Sequence, residues 1–172
     1  LTTEPLGSVS RAFYDSTLSK VYVAMNRPGQ LARLVTVDPR TGEIEKLCDV
    51  LSPALYYVCS TAFDPRGGSL FYTTHNSSSW RDLNVVDVRT RETRVLLRNA
   101  RIGDLAFNRA DSSLWGVQHH NGYSTLVRLP HPYDRWMEVF SLKYGKDLYD
   151  IDVSPDGADL FDGSGEPEVS AT

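Results

Sequence analysis

Short apolar runs alternate with polar turns along the whole chain, and the alternation repeats. Four stretches follow one pattern. Phe13-Tyr14-Asp15 leads to Val21-Tyr22-Val23, and Phe63-Asp64-Pro65-Arg66-Gly67-Gly68 leads to Leu70-Phe71-Tyr72. Phe107-Asn108 leads to Leu114-Trp115, and Val153-Ser154-Pro155-Asp156-Gly157 leads to Leu160-Phe161. In each, an apolar anchor enters a polar turn and then a second apolar strand. The anchors Phe13, Phe63, Phe107 and Val153 stand 50, 44 and 46 residues apart. Pro65 and Pro155 preset φ at the second turn position, while Gly67-Gly68 and Gly157 supply the positive φ that reverses the chain. Such a turn between apolar runs predicts a β-hairpin.

A second motif keeps the same period. Val37-Asp38-Pro39-Arg40-Thr41-Gly42-Glu43 and Val86-Asp87-Val88-Arg89-Thr90-Arg91-Glu92 share Asp, Arg, Thr and Glu, and a looser copy runs from Pro130 to Arg135. Strands flank each copy: Arg33 to Val37 and Ile44 to Cys48, Leu83 to Val88 and Arg94 to Leu97, Thr125 to Leu129 and Trp136 to Phe140. Every repeat therefore holds four strands, A to D. Strand A, which ends at the anchor, reads as the most apolar and most buried. No 3.6-residue apolar period runs long enough for a three-turn helix.

Four antiparallel strands in a repeat of about 45 residues describe the blade of a β-propeller. A β-sandwich has strands of similar spacing but no need to repeat every fourth one. The expected fold is all-β: one partial β-propeller over 1–172, with full blades at about 8–48, 58–97 and 102–141 and an incomplete one at 148–172. The fourth is expected to stop around strand B, because Gly163 to Glu168 is polar and turn-like. Leu1 to Val9 reads as a stray strand or a linker from a preceding blade. Rings close with roughly four to eight blades, and open edges invite aggregation. The chain thus reads as a fragment of a roughly six- to eight-bladed ring. Standing alone, it would have to cap its edges or self-associate through them.

Composition narrows the function. The 172 residues carry 18 Lys+Arg against 22 Asp+Glu, a net charge of −4, where a nucleic-acid binder would show a basic excess. No apolar run approaches the roughly 18 residues of a membrane-spanning helix. The N-terminus has neither the basic nor the apolar segment of a signal peptide, and the missing initial Met reads as a trimmed or partial chain. Cys48 ends a D strand at the outer edge of one blade and Cys59 begins the innermost strand of the next. That separation exceeds the roughly 7 Å limit for a disulfide, so both are expected as free thiols.

The Ser154-Pro155-Asp156-Gly157 turn, with Asp64-Pro65-Arg66-Gly67 in the same place, resembles the hairpin of WD-like propeller repeats in TolB-like proteins and in prolyl-oligopeptidase-type peptidases. The Asp38-Pro39-Arg40-Thr41-Gly42-Glu43 turn fits the same group. The Trp-Asp signature of true WD repeats is missing, since Trp80, Trp115 and Trp136 precede Arg81, Gly116 and Met137. The resemblance is therefore to the bacterial TolB-like branch, which implies a periplasmic or extracellular protein.

Antiparallel order puts the B–C and D–A loops on one side, here the top, and the A–B and C–D turns on the other. The top B–C loops are Arg27 to Gln30, His75 to Arg81 and His119 to Ser124; the D–A loops are Val50 to Tyr57, Asn99 to Gly103 and Tyr144 to Asp147. Asn26, His75 and His119 each lie five residues past the strand B anchors Val21, Leu70 and Leu114. They fall at one height on successive blades, and His120 adds a second imidazole. These four are the candidate binding rim. A metal is not expected, because imidazoles on adjacent blades stand about 10 Å apart and no metal-ligand spacing is present; no cofactor is implied.

Other motifs read as structure. Gly163-Ser164-Gly165 lacks the spacing and setting of a nucleophile elbow. Asp150 and Asp152 read as two solvated carboxylates, with a channel-facing pair as the alternative. Asn76-Ser77-Ser78 matches a glycosylation sequon in an exposed loop. With no catalytic set, the expected function is a non-catalytic binding or scaffold module for a protein or peptide partner. The alternatives are the gating propeller of a larger prolyl-oligopeptidase-type hydrolase, and a propeller lactonase or sugar-processing enzyme.

Overall fold

The computed structural model describes residues 7–51, 58–78, 80–163 and 167–170, and among them there is no helix. Four antiparallel sheets follow one another along the chain. The first holds β1 (Ser8–Val9), β2 (Phe13–Asp15), β3 (Lys20–Asn26), β4 (Arg33–Val37) and β5 (Ile44–Asp49). β1 and β2 both pair with β3, so they are two pieces of one innermost strand. The second sheet runs in order β6 (Val58–Asp64), β7 (Ser69–His75), β8 (Arg81–Asp87), β9 (Thr93–Leu97). The third runs β10 (Ile102–Asn108), β11 (Ser113–His120), β12 (Tyr123–Leu129), β13 (Met137–Ser141). The fourth holds β14 (Asp152–Val153), β15 (Asp159–Phe161) and β16 (Pro167–Ser170). Three sheets of four strand positions and a partial fourth are the blades that the repeat predicts.

The strand residues alternate between two neighbours. In β7, Leu70 and Tyr72 pack against Tyr22, Ala24 and Leu34 of the first sheet, while Phe71 packs against Leu105, Leu114 and Val127 of the third. In β11, Leu114 joins the second sheet, and Trp115 and Val117 meet Leu160 of the fourth and Leu148 and Ile151 of the segment leading into it. Successive side chains on a strand point to opposite faces, so a sheet covered on both faces needs apolar residues at consecutive positions. This is why Leu70-Phe71-Tyr72 and Leu114-Trp115 read as runs rather than alternations. Aromatic pairs mark the contacts: Tyr22 and Phe63 at 4.7 Å, and Phe71 and Tyr133 edge-on at 4.8 Å. Val23, Met25, Val35 and Val37 form a separate buried cluster on the other face of the first sheet.

Two expectations need correction. The innermost strands are not the most buried: β7 and β8 have buried interiors throughout, whereas β2 and β14 are half-exposed. A middle strand has sheet partners on both edges and sheets on both faces, while an innermost strand keeps one edge toward the axis. The fourth sheet also continues past strand B, because Pro167–Ser170 pairs with β15. Its polar lead-in hid a strand only four residues long.

Register refines the repeat. Each A–B hairpin closes on one pair, Asp15 with Lys20, Asp64 with Ser69 and Asn108 with Ser113, with four residues between. Tyr14, not Phe13, therefore sits at the level of Phe63 and Phe107. Tyr14 lies on the face turned away from the second sheet and is exposed, while Phe13 packs toward Phe63. Each full innermost strand carries one extra residue, between Val9 and Phe13, Val58 and Ser60, and Gly103 and Ala106. Each outermost strand carries one too, opposite Leu34/Val35, Leu83/Asn84 and Leu126/Val127.

The bottom turns are held by carboxylates. Asp38 Oδ1 accepts the N–H groups of Arg40 (2.8 Å) and Thr41 (3.3 Å), and Asp87 Oδ1 accepts those of Arg89 (2.8 Å) and Thr90 (2.9 Å). Gly42 and Arg91 take the positive φ that closes each turn, 73° and 64°. Asn108 Nδ2 donates to Gly157 O (3.0 Å) and pins the third sheet to the fourth. Ser154-Pro155-Asp156-Gly157 is a turn, with Gly157 at φ 78°.

Phe71 is fully buried between two sheets, so Phe71→Ala is expected to cost about 3–5 kcal/mol in denaturant unfolding. The N–H groups of Arg40 and Thr41 hold the Asp38 carboxyl below its usual range, and those of Thr90 and Arg89 do the same for Asp87. A depressed folded pKa stabilises above the unfolded value of about 3.9 and is lost as pH falls through the folded value. Asp38→Asn with Asp87→Asn is therefore expected to lower the melting temperature at pH 7. The gap to the unmodified chain should close at pH 2–3; a gap constant across that range would contradict this account.

Candidate functional site at the top of the sheets

The predicted rim residues divide. His119 and His120 are not loop residues, because β11 and β12 pair as far as His119 with Ser124 and His120 with Tyr123. The connection is only Asn121-Gly122, both at positive φ (50° and 80°). Asn-Gly is the tight-hairpin dipeptide, and that signal was present in the sequence. His75 ends β7 opposite Arg81. Burial and the Arg81 charge both lower its pKa. Asn26 ends β3 opposite Ser8, and its Oδ1 is buried with no hydrogen-bond partner among the described residues. His119 and His120 line one pocket, while Asn26 and His75 end the equivalent strands β3 and β7.

His119 sits in a polar cluster. Its Nδ1 lies 3.2 Å from Ser124 Oγ and 3.4 Å from Asp147 Oδ1, and its Nε2 lies 3.7 Å from Asp104 Oδ2. Ser124 Oγ donates to Asp147 Oδ1 at 2.6 Å. The imidazole therefore stands between the innermost strand β10, which carries Asp104, and the D–A loop, which carries Asp147. The His119 imidazole, the Asp150 backbone N–H and the Arg81 guanidinium hold the Asp104 carboxyl below its usual range, against its burial. A Ser, a His and two Asp side by side invite a nucleophilic reading. Ser124 is buried and its hydroxyl donates to Asp147 rather than to the imidazole, so the contact that would activate a nucleophile is not the one made here.

Beside His119 is an open pocket of about 350 Å³ whose lining includes His120, Tyr123, Ser124, Lys146 and Asp147. Tyr123 and Tyr144 meet edge-on at 5.5 Å on its rim, and both are exposed. Gly122 is bare because Tyr144 lies over it, where a Cβ would meet the ring at 2.6 Å.

A smaller cavity of about 140 Å³ lies where the innermost strands converge. Ser10-Arg11, Ser60-Thr61, Asp104-Leu105 and Asp150-Ile151 line it, one pair from each sheet. Arg11, Ser60, Asp104 and Asp150 are equivalent, each three residues before the level of Tyr14, Phe63, Phe107 and Val153. Arg11 reaches from the first sheet to the fourth. Its Nη2 donates to Asp150 Oδ1 (2.9 Å), and its Nη1 donates to Ile151 O (3.2 Å) and lies 3.6 Å from Asp152 Oδ1. Asp150 and Asp152 are solvated, as expected, and they also pair with this guanidinium. Sequence reasoning singled out neither Arg11 nor Asp104. Their common spacing from the anchor was the available signal, visible only after Tyr14 replaced Phe13 in the alignment.

Other motifs also resolve. Asn76 of the sequon spends its Nδ2 on Asp82 Oδ1 (2.9 Å) and Asn99 Oδ1 (2.7 Å). Arg101 stacks over Trp80 at 3.3 Å. Cys48 is a free thiol whose pKa burial pushes up to about 11; the side chain of Cys59, most of the Val50 to Tyr57 loop and Ser164-Gly165 lie outside the described residues. Among the described residues, no group of three or more His, Cys, Asp or Glu is placed to hold a metal ion.

Comparison with solved structures fixes the architecture. TolB from Acinetobacter baumannii superposes with a TM-score of 0.70 over 90% of this chain, at 13% identity. A nidogen/laminin complex matches with a TM-score of 0.70 over 92%, at 19% identity, and one of two prolyl endopeptidases with 0.59 over 90%, at 15% identity. The fold is a TolB-like β-propeller. The chain spans 37%, 56% and 26% of those chains' lengths. No protein-family model and no curated protein matches the sequence.

In this propeller, Asp147 ties the Tyr144–Asp147 loop to the third blade through Ser124 and His119. Asp147→Ala is expected to raise tryptic cleavage at Lys143 and Lys146 severalfold. Global stability should fall by only about 1 kcal/mol, the net worth of a typical hydrogen bond. Unchanged cleavage would show that the loop is held by other contacts.

Proposed function

We propose that this chain is a non-catalytic binding module whose top side takes a protein or peptide partner. The observation that carries this reading is the open pocket beside His119, lined by the exposed Tyr123, against which the exposed Tyr144 packs. Tyrosines combine a large apolar face with a polar tip and are enriched at the energetic centres of interfaces. The rim residues Asn26, His75, His119 and His120 are the further proposed contacts. The comparison with a nidogen/laminin complex agrees with a protein partner but concerns that complex.

A second reading has its own support. The prolyl endopeptidase and a puromycin hydrolase match this chain over 90% of its length, and it covers 26% and 25% of theirs. On that reading these blades belong to a larger hydrolase whose nucleophile lies elsewhere. A downstream coding segment with an α/β-hydrolase Ser…Asp…His order would decide for it.

For the first reading, immobilised protein should capture a partner from lysate of its source. The triple variant His120→Ala, Tyr123→Ala, Tyr144→Ala should weaken that capture by tenfold or more, the effect of losing about 1.4 kcal/mol. Capture unaffected by the triple variant would place the interface elsewhere.

A further inference from the structure

We infer that the acceptor set Asp150 Oδ1, Asp152 Oδ1 and Ile151 O is a guanidinium-binding site at the mouth of the propeller axis, filled in this chain by its own Arg11. It deepens the binding-module reading, on which it rests, by naming the ligand chemistry: an arginine side chain presented by the partner. The seated guanidinium is the first argument. Arg11 makes three polar contacts at 2.9, 3.2 and 3.6 Å to a segment 139 to 141 residues away. A planar fork of donors suits such a divided acceptor set better than a single ammonium does.

Charge is the second argument. Asp104, Asp150 and Asp152 outnumber Arg11 and Arg81, whose guanidinium also acts on Asp104, so a second cation is attracted rather than repelled. Exposure is the third. The side chains of Asp150 and Asp152 are 72% and 70% exposed and that of Arg11 is 33% exposed. An ion pair this solvated is weak, so an incoming arginine can exchange with Arg11.

The test removes the internal occupant and offers a replacement. Arg11→Ala should bind L-argininamide at millimolar concentration, at least tenfold more tightly than the unmodified chain. Its NMR amide shifts should centre on Asp150 to Asp152. Citrullinamide, of the same shape but neutral, should not bind. Adding Asp150→Asn and Asp152→Asn to the variant should abolish binding. If Arg11→Ala folds poorly, judged by its melting temperature, Arg11→Met keeps the apolar stem and is read the same way. Equal affinity for both chains, equal binding of citrullinamide, or binding that survives the two Asn substitutions would overturn the inference. Argininamide binding without any captured partner would count against the rim reading alone. Capture indifferent to Asp150→Asn and Asp152→Asn would overturn this inference and leave the rim reading standing.

Discussion

Burial of the second and third sheets on both faces is the constraint from which the rest follows. A sheet with one wet face can spend every second residue on solvent. A blade between two blades cannot. Leu70 and Tyr72 belong to one interface and Phe71 to the next, so a single three-residue run serves two cores. The same division recurs at Leu114 and Trp115. A one-residue slip would exchange the two interfaces, and identical hairpin closures at Asp15, Asp64 and Asn108 hold the register against it.

That constraint drives polar chemistry to the two ends of the sheets. At the bottom it is spent on the chain itself. Asp38, Asp87 and Asn108 satisfy backbone groups that the tight turns leave unpaired. At the top the groups bond across elements: Ser124 to Asp147, His119 between two carboxylates, Arg11 across the axis. The extra residue in each innermost strand contributes to this difference. A bulge re-aims a side chain, and at this level the four innermost strands present Arg11, Ser60, Asp104 and Asp150 to one cavity.

What could be read in the residues divides along the same line. Turns were legible because their chemistry is local: Pro65, Gly67-Gly68, Pro155, Gly157 and the Asp-x-Arg-Thr motif each act within four residues. Blade number and strand order followed from the period. The burial ranking of the strands was not legible, since it depends on which edge faces the axis. The strand at Pro167–Ser170 was too short to show a pattern. The Asn121-Gly122 hairpin carries a local signal, but the polar residues on either side of it read as one longer loop, and His119 and His120 lie on the strand instead. Arg11 and Asp104 depend on register across 90 residues and more, and a one-residue misplacement of the first anchor concealed them.

The two classes of contact also differ in strength, and that difference assigns them different work. Interfaces built from Phe71, Leu83, Leu114 and Trp115 are dry and close-packed, and such packing tolerates little displacement. The contacts at the mouth are solvated and exchangeable. Solvated contacts of this kind can change partners without altering the stack beneath them. On the proposed reading, the propeller supplies position, and weak polar contacts at its top supply recognition. On that reading the acidic residues at the axis bear on recognition, while the apolar cores bear on the position those residues hold.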